Sequence, residues 1–216
     1  MLSLLLLMLS LASAVDLGTT IVAVKFRDGV VIGADTRTSV SNYVSHRYAH
    51  KLVELEDHNI VIGRSGSAAD TQLLIEKLKC QLQNRIFRYD ERLTVKQAIQ
   101  YLRKHLQGQV SLVVAGYDND NGAQIYNLAL SGAILPEFRY AVSGSGSTIA
   151  LGYLDENFKD FDDDQQAIEL CQNAVQLAMN RDGSSGGLIR ICVVSSKGRR
   201  RLTVYPDKPT SQTNEL

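Results

Sequence analysis

Cysteine is scarce in this sequence. Cys80, Cys171 and Cys192 are far apart, odd in number and without metal-ligand spacing, which excludes a disulfide framework and a thiolate metal centre. They read as reduced, mostly buried thiols of a cytosolic protein. An excess of charge of either sign is also missing. Lys plus Arg and Asp plus Glu number 23 each, so no net field draws the chain to nucleic acid or to an anionic membrane. The one basic cluster, Lys197 to Arg201 interrupted by Gly198, reads as a solvated hairpin rather than a binding patch. The apolar stretch from Met1 to Ala14 is shorter than the ~20 residues a bilayer span needs. No internal repeat is visible, and Gly144-Ser-Gly146 lacks the full phosphate-loop or dinucleotide pattern, so no nucleotide cofactor and no metal is expected.

What is present is one domain's worth of apolar sequence. The chain has 216 residues, 44% of them hydrophobic, enough to bury a sizeable core without forcing a second domain. The leader ends in Ala12-Ser-Ala14, the small-residue pattern that closes a secretory signal peptide, but no Lys or Arg precedes its apolar run. A short removable propeptide is the favoured reading. The division expected is a leader over 1–18, a domain over 19–207 and a polar tail over 208–216.

Thr19 to Phe26 and Val30 to Ala34 read as a hairpin turning at Arg27-Asp-Gly29. Asp35 to His50 is polar and irregular. Lys51 to Leu55 and Asn59 to Ile62 predict a second hairpin around Glu56-Asp-His58. Ser67 with Asp70 suits a helix start, followed by the stripe Leu74, Leu78, Leu82 and Ile86. Thr94 with Gln97 is a capping-box signature, and Val95, Ile99, Leu102 and Leu106 predict a second helix stopped by Gly108. Strands are expected over Val110 to Ala115 and Gln124 to Leu130, helices over Gly144 to Asn157 and Asp164 to Met179, and a last hairpin from Leu188 to Val194 and Arg201 to Tyr205. The order predicts an α+β fold, two antiparallel sheets between two helical layers.

Several stretches carry possible chemistry. If the Gly18-Thr19 bond were cut, Thr19 would hold a hydroxyl nucleophile and, in its free α-amine of reference pKa about 7.7 to 8.0, its own base. The alternative is that Thr19-Thr20 simply opens a strand. Asp35 and Arg37 either orient a neighbouring cation or form a surface ion pair, and Lys51 either sits buried beside Asp35 or is a solvated lysine. Gly63-Arg-Ser-Gly-Ser67 offers backbone N–H groups for an oxyanion, or is an ordinary strand-to-helix loop. Ser143 to Ser147 and Arg181 to Gly187 are two further glycine-serine clusters. Gly183-Ser-Ser185-Gly-Gly187 fits G-x-S-x-G, but that elbow needs a strand before the serine and a histidine after it, and His46, His50, His58 and His105 all come earlier.

In their order, Gly18-Thr19-Thr20, Gly33-Ala-Asp35-x-Arg37, Lys51, Gly66-Ser-Ala-Ala-Asp70, Gly144-Ser-Gly146 and Asp182-Gly-Ser-Ser-Gly186 resemble the proteasome beta subunits, which are N-terminal-nucleophile hydrolases. The likeness runs from Gly18 to about Tyr205 and is strongest to the caspase-like beta subunit through Arg64 to Gln72. It implies a four-layer αββα sandwich, self-cleavage at Gly18-Thr19 and attack by Thr19 on a scissile carbonyl. It also implies roles: Asp35 and Lys51 as the charge pair tuning Thr19, Ser145, Asp182 and Ser185 holding its amine and relaying protons, Gly66 as oxyanion donor, and Arg37 in support. Arg64 would line the specificity pocket and select acidic substrate residues. The partners implied are other alpha and beta subunits in stacked rings and unfolded, typically ubiquitin-targeted polypeptides, in cytoplasm and nucleus, with no nucleic acid, membrane or cofactor. Against the family pattern, Gly63 replaces a frequent cysteine and bears on pocket depth, while Ala49 and His50 replace a polar and an acidic residue. A non-catalytic subunit of the same particle, and a secreted hydrolase or binding protein, are the alternatives.

Overall fold

The structure, a computed structural model, describes residues 18–40, 43–55, 58–89 and 92–206, without the side chains of 85–89. The leader before Gly18 and the tail beyond residue 206 lie outside the described residues, as do Glu56 and the side chain of Ile86.

The first sheet has the order β10-β1-β2-β11-β12, built from β1 (Ile21–Phe26), β2 (Gly29–Asp35), β10 (Tyr140–Ser143), β11 (Ile189–Ser195) and β12 (Gly198–Val204). The second runs β5-β6-β7-β8-β9, from β5 (Leu52–Leu55), β6 (Ile60–Gly66), β7 (Val110–Asp118), β8 (Gly122–Leu128) and β9 (Ile134–Glu137). Every pairing is antiparallel. Helices α1 (Ala68–Tyr89) and α2 (Val95–Lys104) cover the second sheet, and α3 (Ser147–Asn157) and α4 (Asp164–Arg181) cover the first. The expected αββα sandwich is therefore the fold.

Three cores follow from strand alternation, since successive side chains point to opposite faces. On β1, Val22, Val24 and Phe26 join the core under α3 and α4, while Ile21 and Ala23 face the other sheet. On β6, Ile60 and Ile62 pack under α1 and α2, and Val61 faces inward. The layer between the sheets is rich in small side chains, Ala23, Ala34, Ala115, Ala123 and Ala141. A larger residue at any of these would force the sheets apart, at a cost of about 1–3 kcal/mol.

The helix starts are where the capping residues place them. Thr94 and Gln97 complete a reciprocal capping box, Ser67 Oγ accepts from the Asp70 N–H at 3.3 Å, and Asp163 caps α4. The basic cluster is a hairpin with partners: Arg200 pairs with Asp164, and Arg201 with Glu54 in a two-pronged contact. No described helix is long and apolar enough to cross a membrane.

The structure corrects several sequence expectations. The region from Asp35 to His50 is not wholly irregular: β3 (Thr38–Val40) and β4 (Tyr43–His46) pair apart from the main sheets. Strands β9 and β10 occupy sequence assigned to no element. The second helix ends at Lys104 rather than near Gly108, and the third begins at Ser147 because Gly144 has φ +96°, outside any helix. Cys171 and Cys192 are buried, but Cys80 is exposed.

Candidate active site

The residues singled out above converge at the start of β1. Hairpin pairing of β1 with β2 sets Ile21 opposite Ala34, which brings Thr20 to Asp35 one step further along. The fully buried Asp35 carboxylate accepts four hydrogen bonds. Its Oδ1 takes the Thr20 N–H at 2.9 Å and Lys51 Nζ at 2.8 Å, and its Oδ2 takes the Arg37 N–H at 3.1 Å and the Gly186 N–H at 2.9 Å. A charge excluded from water needs such donors to offset its lost hydration. Lys51, immediately before β5, is 6% exposed in its side chain and donates a second bond, 2.9 Å, to the Gly18 carbonyl. Burial pushes its ammonium below the ordinary lysine range, against the opposing charge and hydrogen bond of Asp35.

The Gly18 carbonyl is a shared acceptor. Thr19 Oγ1 donates to it at 2.6 Å beside the Lys51 contact. Gly18 is held flat against the loop after α4, where a Cβ on it would overlap Ser184.

On the other side of Thr19 lies a hydrogen-bonded cluster of two serines and an aspartate. Ser145, in the turn between β10 and α3, accepts the Thr19 N–H at 3.1 Å and donates to Asp182 Oδ2 at 2.5 Å. Ser185 donates to the same oxygen at 2.6 Å, so the 2.8 Å contact between the Thr20 and Ser185 hydroxyls has Thr20 as donor. Asp182 is the C-cap of α4, and its Oδ1 accepts from the Ser184 N–H. Arg37 reaches across to the Gly183 carbonyl at 3.1 Å.

A cavity of about 40 Å³ opens beside Thr19, lined by Gly18, Thr19, Lys51, Arg64 and Gly66 among others. Gly66 ends β6 with φ +89°, and a side chain there would collide with the Gln109 carbonyl. Arg64 is steadied by two bonds from Nε and Nη2 to the His50 carbonyl, 3.0 and 2.7 Å, which leaves its other N–H groups for a ligand. Burial lowers the Arg64 pKa, as it does that of His50, where Arg190, Arg64 and His46 add repulsion. Gly63 does not line this cavity. It faces Ile21 and Ile32 across the two sheets, so its bearing is on sheet packing rather than pocket depth.

All ten residues selected from sequence thus lie in one connected site. Thr20 and Ser184 were missed, although the hairpin turn at Arg27-Asp28 already fixes the register that carries Thr20 to Asp35. Ser185 follows a helix and precedes a strand, the reverse of a hydrolase elbow, and its hydroxyl is committed to Asp182. Among the described residues no cluster of His, Cys, Asp or Glu could hold a metal ion.

A family profile described as "Proteasome subunit" matches residues 15–194. Proteasome subunit beta type-1 of Saccharomyces cerevisiae is 37% identical over 198 residues, covering 90% of this chain and 91% of its own. Proteasome subunit beta type-6 of Dictyostelium discoideum is 38% identical over 200 residues, 90% and 92% respectively. The probable proteasome subunit beta type-1 of Schizosaccharomyces pombe is 40% identical over 193 residues, 87% and 84%.

Proposed function

The chain belongs to the proteasome subunit family, on its beta-type side, and from that premise we propose that it is a catalytic subunit, a threonine endopeptidase that frees its own nucleophile. It works in a particle with other alpha and beta subunits, in cytoplasm and nucleus, on unfolded polypeptides. The leader is 1–18, the catalytic domain 19–207 and the tail 208–216.

The observation that carries this reading is the Gly18 carbonyl oxygen, which receives both the Thr19 hydroxyl and the Lys51 ammonium. In the uncut chain Thr19 Oγ1 attacks the Gly18 carbonyl carbon. Negative charge builds on the oxygen that Lys51 already contacts. The C–N bond to Thr19 breaks, the hydroxyl proton passes to the departing nitrogen, and an ester joins Gly18 to Oγ1. Water then cleaves the ester, leaving a carboxyl on the leader and a free amine and hydroxyl on Thr19.

The same atoms serve the substrate. The Thr19 amine, beside Ser145, takes the hydroxyl proton as Oγ1 attacks, and returns it to the departing amine. Asp182 and Ser185 hold Ser145 in place, the Asp35–Lys51 pair keeps positive charge at the nucleophile, and the Gly66 N–H receives the oxyanion. Arg64, on the cavity wall, pairs with an acidic side chain of the substrate, so cleavage follows Asp or Glu.

The deciding experiment is the N-terminal residue of the chain in particles purified from its own cells, by intact mass. Thr19 at the terminus supports the reading. A terminus at Met1, Met8 or Val15 leaves the threonine without a free amine and overturns it.

A further inference from the structure

We propose that Ser65, Ser111 and Ser143 form a hydrogen-bonded ring, closed through the Ser111 main-chain carbonyl, that sets the distance between the two halves of the active site; this rests on the threonine-protease reading above. Ser65 and Ser111 are opposite each other on β6 and β7 of the second sheet, and Ser143 ends β10 of the first. All three lie on the faces between the sheets. Along β6 the inward positions run Val61, Gly63, Ser65, along β7 Ala115, Val113, Ser111, and along β10 Ala141, Ser143. Each strand is apolar or glycine inside until its last inward position, where it turns to serine.

The hydrogens assign themselves. Ser65 Oγ donates to the Ser111 carbonyl at 3.1 Å, so the 2.7 Å contact between Ser65 and Ser143 has Ser143 as donor. The 2.9 Å contact between Ser111 and Ser143 then has Ser111 as donor. Each hydroxyl gives one proton, two of them to a neighbouring hydroxyl and that of Ser65 to the Ser111 carbonyl, so the ring closes through the main chain of residue 111 and spans both sheets.

Its place in the chain gives it a task. Ser65 immediately precedes Gly66, the proposed oxyanion donor. Ser143 immediately precedes the Gly144 turn, whose Gly146 N–H reaches the Thr19 carbonyl and whose Ser145 holds the Thr19 nitrogen. Apolar contact between sheets is non-directional and fixes their spacing loosely, whereas a hydrogen bond fixes it to a few tenths of an ångström. The three serines are positioning residues that tie the oxyanion turn to the turn holding the nucleophile.

The test uses particles purified from the protein's own cells and a peptide cut after an acidic residue. Ser143→Ala should lower kcat about 10- to 100-fold with KM held within about two-fold, since misplacement of ~1 Å costs on that order. A peptide aldehyde, whose hemiacetal oxygen occupies the oxyanion position, should lose affinity by the same factor as kcat. Ser111→Ala should behave alike, and Ser111→Thr, which keeps the hydroxyl, should restore the rate. Combining Ser65→Ala with Ser143→Ala should cost no more than either alone, because one break opens the ring. A kcat within about two-fold of wild type in both Ser143→Ala and Ser111→Ala overturns the ring; if Ser143→Ala fails to enter the particle, the half-buried Ser111 decides by itself. Thr19→Ala in the same assay separates the two readings. Activity surviving in that variant removes the threonine protease itself, whereas its loss beside wild-type serine variants removes the ring alone.

Discussion

The Lys51 ammonium lies 2.9 Å from the Gly18 carbonyl oxygen and 2.8 Å from Asp35 Oδ1, bridging the Gly18–Thr19 peptide and the buried charge beneath it. Lys51→Met should therefore leave the leader attached and lower peptide cleavage by about 100-fold or more, the scale expected when a transition-state donor is lost. The change also strands Asp35 with three backbone donors and no cation, at a cost of about 3–5 kcal/mol. Intact mass and a thermal melt of the purified particle check both.

Gly18→Ala separates leader removal from peptide cleavage. The new methyl group meets Ser184 and must swing the Gly18 carbonyl off Lys51, so leader removal should slow by about 100-fold, as for other small misplacements. On the proposed reading residue 18 leaves with the leader. Any chain that does process should cleave peptides at the wild-type rate per active site, as a time course of intact mass with matched peptidase assays would register.

Arg64→Ala should act on selectivity. Loss of a charged hydrogen-bond partner is worth about 1.5–3 kcal/mol, which predicts a fall of roughly 10- to 100-fold in kcat/KM on peptides cut after Asp or Glu. Peptides with an apolar residue there should change little. Equal loss on both classes would take Arg64 out of the selecting role.

His50 should titrate below 6.5. Partial burial disfavours its charged form, and Arg190, Arg64 and His46 add repulsion in that order. The folded pKa lies under the unfolded one, so the native state binds fewer protons. The resulting stability is complete above pH 6.5 and is lost as pH falls through the unfolded and then the folded value. Hydrogen–deuterium exchange at the imidazole C2 position, followed against pH, gives the midpoint. A value at or above 6.5 would place the basic neighbours away from the ring.

The cysteines should differ sharply in reactivity. Burial pushes the Cys192 thiol up to about 12 and that of Cys171 higher still, while Cys80 is exposed on α1. Mild alkylation near neutral pH should label Cys80 and spare the other two, and peptide mass mapping would locate the label.

Much of the fold was legible because its signals are local. The Thr94–Gln97 box, the Ser67 start and the acidic cap before α4 each involve residues within one helical turn, and the hairpin at Arg27-Asp28 sets its own register. What escaped lacks such signals. Strands β3 and β4 are short, largely solvent-facing and paired only with each other, so no apolar alternation marks them. Strand β9 carries Pro136, tolerated because it lies at the sheet edge, and β10 has four residues. The site was legible chiefly through the order of its motifs. Nothing in the sequence alone brings Asp182 to Ser145 or Lys51 to Gly18, since those contacts depend on both sheets closing.

Thr19 is 5% exposed, and Gly18 is buried with it. A bond enclosed in this way, proposed above as the one that is cut, presents little surface for an outside enzyme to grip. On the proposed reading the chain cuts itself, with a site that is complete when strands from both sheets have come together. Arming, if the proposed self-cleavage holds, is thereby a checkpoint on folding: a half-formed copy keeps its safety catch until its own shape is complete.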